Sequence, residues 1–161
     1  MTKPARAILF GALTVGVLDG LDAIIFFGLR GVAPHRIFQS IASGLLGRAS
    51  FQGGAATVAL GVLLHFTVAL GIVATYHLAS RRLPTLAQRP FLWGPLYGIA
   101  AYLVMNYVVI PLSAVTRGGT PALPVVVNGV LIHMFGVGMP AALFARAARA
   151  EVEPPRSPGV Y

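Results

Sequence analysis

The chain has 161 residues, 57% of them apolar and only 10% charged, with a mean hydropathy of +0.80. A soluble domain carries about 25% charged residues, so this composition excludes a water-soluble globule and makes a bilayer the expected solvent; the length suits one compact unit. The net charge of +8 comes from twelve Lys and Arg against four Asp and Glu. No basic stripe interleaved with aromatics accompanies it, which excludes a nucleic-acid partner, and zero cysteines exclude disulfides and thiol chemistry.

A membrane-crossing helix needs roughly 20 mainly apolar residues. The first such run covers about residues 7–29 and follows the basic start MTKPAR. Its apolar stretch continues past Asp19 and Asp22 without a small-x-small cleavage site, so a retained span is expected rather than a signal peptide. The segment from Arg30 to Gly54 is long for a connection within a small bundle. Within it, Pro34 can open a helix, and Ile37, Phe38, Ile41 and Leu45 recur at helical spacing. Arg36, Gln39, Ser40 and Ser43 mark the opposite side, which predicts a short amphipathic helix over about 35–47 lying at the membrane interface. A re-entrant segment is the alternative.

Further spans are expected at about 55–79, 91–115 and 122–145, in a single membrane domain of residues 1–149 followed by a flexible, proline-rich cytoplasmic tail at 150–161. Lys3, Arg6, Arg81, Arg82, Arg89, Arg146, Arg149 and Arg156 fall on one side of this arrangement, eight in all. Arg30, Arg36, Arg48 and Arg117 make four on the other. The side richer in positive charge is the cytoplasmic one, which puts both termini inside. The predicted fold is therefore all-α: an integral membrane four-helix bundle with an additional interfacial helix between spans 1 and 2.

Every span contains a strongly polar residue: Asp19 and Asp22 in the first, His65 in the second, Asn106 in the third, Asn128 and His133 in the fourth. An aspartate at the centre of a membrane helix costs about 2.5–3.5 kcal/mol on insertion scales, so these groups should face the bundle interior. At about 1.5 Å rise per residue, antiparallel spans bring them to one middle-to-outer layer. Asp19 and Asp22, at i and i+3, share a helix face. Ala12 and Gly16, Gly61 and Ala69, and Gly129 and Gly136 flank the acids and histidines with small residues that let helices approach closely. Asn128 is the exception, about 140° from His133 on a helical wheel.

Three chemistries fit this layer. Carboxylates beside imidazoles can pass a proton or hold a cation. Two histidines and two acids also suit a transition metal by ligand type, although no local metal-binding motif is present, so metal occupancy stays open. The third is plain interhelical hydrogen bonding that fixes packing. His77, beside Arg81 and Arg82, reads as an interfacial residue.

Pro111 and Pro140 fall late enough in their spans to kink them and free the carbonyls of Tyr107 and Gly136. Pro95 and Pro124 are expected in first turns. Gly94 and Gly98 form a GxxxG that suits internal packing or a dimer face. No phosphate loop, dinucleotide fingerprint or nucleophile elbow occurs, so no cofactor is expected and a non-enzyme is favoured.

The run GPLYGIAAYLVMNYVVIPLSA through NGVLIHMFGVG resembles the YagU-like bacterial inner-membrane proteins. The shared features are a glycine-spaced span ending in Pro-Leu, then a span with a polar residue shortly before a histidine; the preceding span, with His65 and Tyr76, fits the same order. The resemblance covers the last three spans, leaving out DGLD and RIFQSIASGLLG. It implies a bacterial inner-membrane location and no established chemistry. The expected function is a small multi-spanning protein responsive to protons or cations through its Asp/His cluster. The alternative is an accessory or scaffold subunit whose polar layer only sets packing. Expected partners are the lipid bilayer and a homo-oligomer or larger membrane complex.

Overall fold

The computed structural model of the chain describes residues 2–116 and 118–150. Arg117, Arg156 and the tail expected to be flexible beyond residue 150 lie outside the described residues.

The described chain is all-helical. Proline starts most of its helices: α1 (Lys3–Gly28), α2 (Pro34–Leu46), the short α4 (Pro84–Gln88), α5 (Pro90–Leu112) and α6 (Leu123–Arg149) each have it at the first or second helical position. There its fixed φ is already helical and its missing N–H would have had no partner anyway. α3 (Gly54–Arg82) is the exception, entered through Gly53 and Gly54, and it ends on Arg81 and Arg82, which complement its C-terminal dipole. Gly31 closes α1. Its φ of 83° lets the Val32 N–H reach the Phe27 carbonyl and its own N–H reach that of Gly28, a Schellman turn.

Four helices, α1, α3, α5 and α6, are long and apolar enough to cross a membrane. Their bounds shift the expected spans by a few residues; α5 stops at Leu112 because Ser113 is extended. α1 packs on α3 and α6, and α5 packs on α6. The core where they meet is made of Ala12, Val15, Ala69, Val73, Tyr76, Val137 and the α6 alanines 141, 142 and 145. Outside it, large apolar side chains such as Phe10, Leu21, Ile25, Leu63, Phe91, Leu96 and Phe135 are exposed.

Both expected proline kinks take the form of π-helical turns. Met105–Val109 precedes Pro111 and His133–Gly138 precedes Pro140. In each case the carbonyl four residues back, of Tyr107 or Gly136, lies inside the π turn, where the wider ladder absorbs the clash and the lost bond. Pro95 is corrected: because α5 begins at Pro90, it sits inside the helix rather than in the first turn.

The GxxxG of α5 serves internal packing. A Cβ on Gly98 would collide with the His133 carbonyl, and one on Gly138 would collide with the Gly94 carbonyl. The two backbones are therefore in direct contact. α2 meets α3 as closely, since a Cβ on Gly61 would run into the Phe38 carbonyl. The polar side expected on α2 is also corrected. Gln39 and Ser43 are buried, with Gln39 Nε2 donating to Thr57 Oγ1 at 3.3 Å, whereas Leu45 is exposed. The docking of α2 onto α3, rather than its apolar stripe alone, decides which side faces inward.

His77 is buried, 6% exposed, where the start of α1 and the ends of α3 and α6 converge. Arg81 and Arg149 line the same recess, so positive charges from the ends of α3 and α6 gather at one end of the bundle.

Candidate functional site

α3 and α5 barely touch along their middles. At one end Tyr97 of α5 donates its hydroxyl to the Ile72 carbonyl at 2.7 Å and meets the Tyr76 ring edge-on at 4.9 Å. At the other, the loop after α5 is tied to α2 by the Ala114 N–H donating to the Gly44 carbonyl at 2.9 Å. Between these clasps lies a cavity of about 770 Å³, bounded also by α1, α2 and α6. Its walls are mainly apolar, including Leu64, Val68, Ile72, Met105, Val109 and Val137. Asp19, His65 and His133 open into it, and the exposed Arg48 lies on its lining beside α2.

Each polar group is held by local backbone chemistry. His65 sits against Gly16 and Gly20 of α1, whose missing side chains make room for its ring and that of Phe66. Its Nε2 is 2.8 Å from the Gly16 carbonyl oxygen. A carbonyl only accepts, so Nε2 carries a hydrogen. The other nitrogen, Nδ1, faces Asp19 Oδ2 at 4.0 Å, beyond direct hydrogen-bond range but in close electrostatic contact. A neutral Nδ1 and a carboxylate would be two acceptors facing each other. One proton, on the carboxyl or on the imidazole, converts them into a compatible pair.

His133 follows the same rule with its nitrogens exchanged. Nδ1 donates to the Gly129 carbonyl at 2.9 Å, leaving Nε2 uncommitted by that bond, and Tyr102 of α5 packs its ring at 5.4 Å. His65, His133 and Asp22 all act electrostatically on Asp19. The π turn that begins at His133 and the Gly98 contact behind its carbonyl fix where this ring stands.

The sequence-predicted residues thus divide into two pairs, the second histidine and one residue apart from them. Asp19 joins His65, with His133 in the same cavity. Asp22 instead accepts a hydrogen bond of 2.7 Å from Asn128 Nδ2. The wheel angle that set Asn128 apart compares residues on one helix only. α1 packs along α6, so Asn128 meets Asp22 at one level while His133 enters the cavity that Asp19 also lines at another. Asn106 is outside this group: its Nδ2 donates to the Tyr102 carbonyl at 3.0 Å, within its own helix. Among the described residues no three His, Asp or Glu side chains gather in a metal-holding arrangement.

Sequence reasoning missed Arg48 as a cavity residue and Tyr97 as a clasp. The small-residue stripes on α1 and the late prolines were the available signals, since they mark where helices close up and where their backbones open. Comparison with known protein families, with curated proteins and with solved structures gives no match.

Proposed function

We infer that this is a multi-pass protein of the bacterial inner membrane that takes up and releases a proton or cation at Asp19, His65 and His133. Both termini are cytoplasmic in this reading, and α2 lies at the opposite interface as the outer cover of the cavity. The observation that carries it is the fixed tautomer of His65. With Nε2 committed to Gly16, the bare Nδ1 lies 4.0 Å from Asp19 Oδ2, two acceptors that a proton on either one makes compatible, at the edge of a cavity large enough to admit water or a ligand. Buried ionisable groups in membrane helices mark ion and proton paths. The gathering of Arg81 and Arg149 beside the chain's basic start supports the orientation.

The test is infrared difference spectroscopy of the full chain in neutral detergent, titrated between about pH 4 and 8, which spans the ordinary carboxylate and imidazole ranges. A protonated-carboxyl band that changes with pH and disappears in Asp19→Asn is the expected result. An unchanged spectrum and unchanged proton uptake in that variant reject the reading.

A second reading, an accessory subunit of a larger membrane complex or a homo-oligomer, is favoured by α5. Only 6% of its most apolar stretch is buried, against 33% for α6. Recovery of a stoichiometric larger partner or a second copy on α5-directed crosslinking supports it; crosslinks to lipid alone exclude it.

A further inference from the structure

The polar groups bordering the cavity are unequal in kind. His65 and His133 spend a ring N–H on Gly16 and Gly129, so in the neutral rings the remaining nitrogens are acceptors. Ser40 and Ser113 spend their hydroxyl hydrogens on the carbonyls of Ile37 and Ile110; the Ser40 oxygen keeps its lone pairs, while that of Ser113 already accepts the Val115 N–H at 3.3 Å. Asp19, once ionised, accepts only. An apolar chamber with such a set is matched by a ligand that brings hydrogen-bond donors, positive charge and hydrocarbon together.

We propose that the cavity binds an amphipathic primary or secondary amine, its ammonium seated at Asp19 between the two histidines and its hydrocarbon body along the apolar wall between α3 and α5. This rests on the proton-sharing reading of Asp19 and His65 and names the cation which that reading leaves open. A metal ion fits less well, since one carboxylate enters the cavity and its volume of about 770 Å³ is of the size that holds an organic ligand.

The exchange balances in charge. The proton shared by Asp19 and His65 leaves to water, and the ammonium replaces it as counter-charge to the carboxylate, one proton out for each amine in. The titratable and charged groups that face or neighbour this event are Asp22 on α1, His65 on α3, His133 on α6, Tyr102 on α5 and Arg48 beside α2. Arg48 is the group an anionic amphiphile would use instead.

The test uses the full chain in neutral detergent near pH 7, where a primary alkylamine is protonated (Lys ordinarily titrates near about 10.4). Decylamine, decanoate and decanol are titrated calorimetrically against protein-free micelles, with a pH dye in weak buffer counting released protons. Decylamine is expected to bind saturably with proton release, and the other two to give neither. Asp19→Asn should weaken decylamine binding about tenfold or more, the value of a charge-assisted contact, and abolish the release. Val68→Phe, which fills the cavity without touching the acid, should weaken binding while the infrared band of Asp19 still titrates.

Equal decylamine binding by wild type and Asp19→Asn overturns the proposal in favour of simple partitioning. Preferential decanoate binding that Arg48→Gln weakens overturns it in favour of an anionic ligand. If the Asp19 band titrates but amine releases no proton, this proposal alone fails; if the band never titrates, the proton-sharing reading fails with it.

Discussion

At the scale of single residues, the two acids of α1 have different neighbours and should behave differently. Asp22 is held by Asn128 at 2.7 Å, a side-chain bond of the kind worth about 0.6 kcal/mol on average between membrane helices. Asn128→Ala should therefore lower the thermal midpoint in detergent measurably. A double-mutant cycle with Asp22→Ala should show positive coupling; zero coupling would mean the bond does not form. Asp19→Asn, by contrast, removes a group with no direct side-chain bond and should leave the midpoint nearly unchanged while abolishing its titration. The identity of these residues as a polar layer was legible from their depth along each span. Their pairing was not. A helical wheel gives angles on one cylinder, whereas Asp22 and Asn128 meet because α1 and α6 lie side by side at that level.

At the scale of elements, glycines with and without neighbours give opposite expectations. Gly98 lies on the backbone of α6, and Gly71 has open space around it. Gly71→Ala should be neutral or stabilise by about 0.5–1 kcal/mol, the ordinary helix-propensity gain. Gly98→Ala should destabilise by about 1–3 kcal/mol, as overpacking does, and should displace His133. Melting of the two variants followed by circular dichroism checks the contrast; a shift of the same sign in both would refute the packing account. Helix positions and types were readable because long apolar runs leave few alternatives and proline marks where most of them begin. The inward face of α2 was not readable. Its polar residues Gln39 and Ser43 are buried through docking on α3, and amphipathic patterning assumes that water, not protein, takes the polar side. π turns were visible only as expected kinks, since proline dictates that the ladder must yield but not how.

At the scale of the whole molecule, the cavity exists because α3 and α5 are joined at their ends and kept apart between. Nothing in the composition signals such a space; it follows from where Tyr97, α2 and Ala114 make their bonds. The proposed orientation can be checked directly because the chain has no cysteine. Arg48→Cys should react with a membrane-impermeant maleimide added to intact spheroplasts, and Leu83→Cys only after the membrane is inverted. The reverse pattern would turn the protein over and place the cavity mouth toward the cytoplasm.

The π turn at His133–Gly138 makes the site sensitive to chain length in a way hydropathy does not register. Such a turn accommodates one more residue than an α-helical one. The turn already holds its extra residue, so inserting a further one inside it would lengthen α6 by only about 1.5 Å and leave it as apolar as before. The two halves of the helix would nevertheless rotate against each other by about a quarter turn or more. Gly138 could keep its seat on α5 only by swinging His133 away from Asp19. The spacing between that histidine and that glycine is thus a constraint of its own, separate from the identity of either residue.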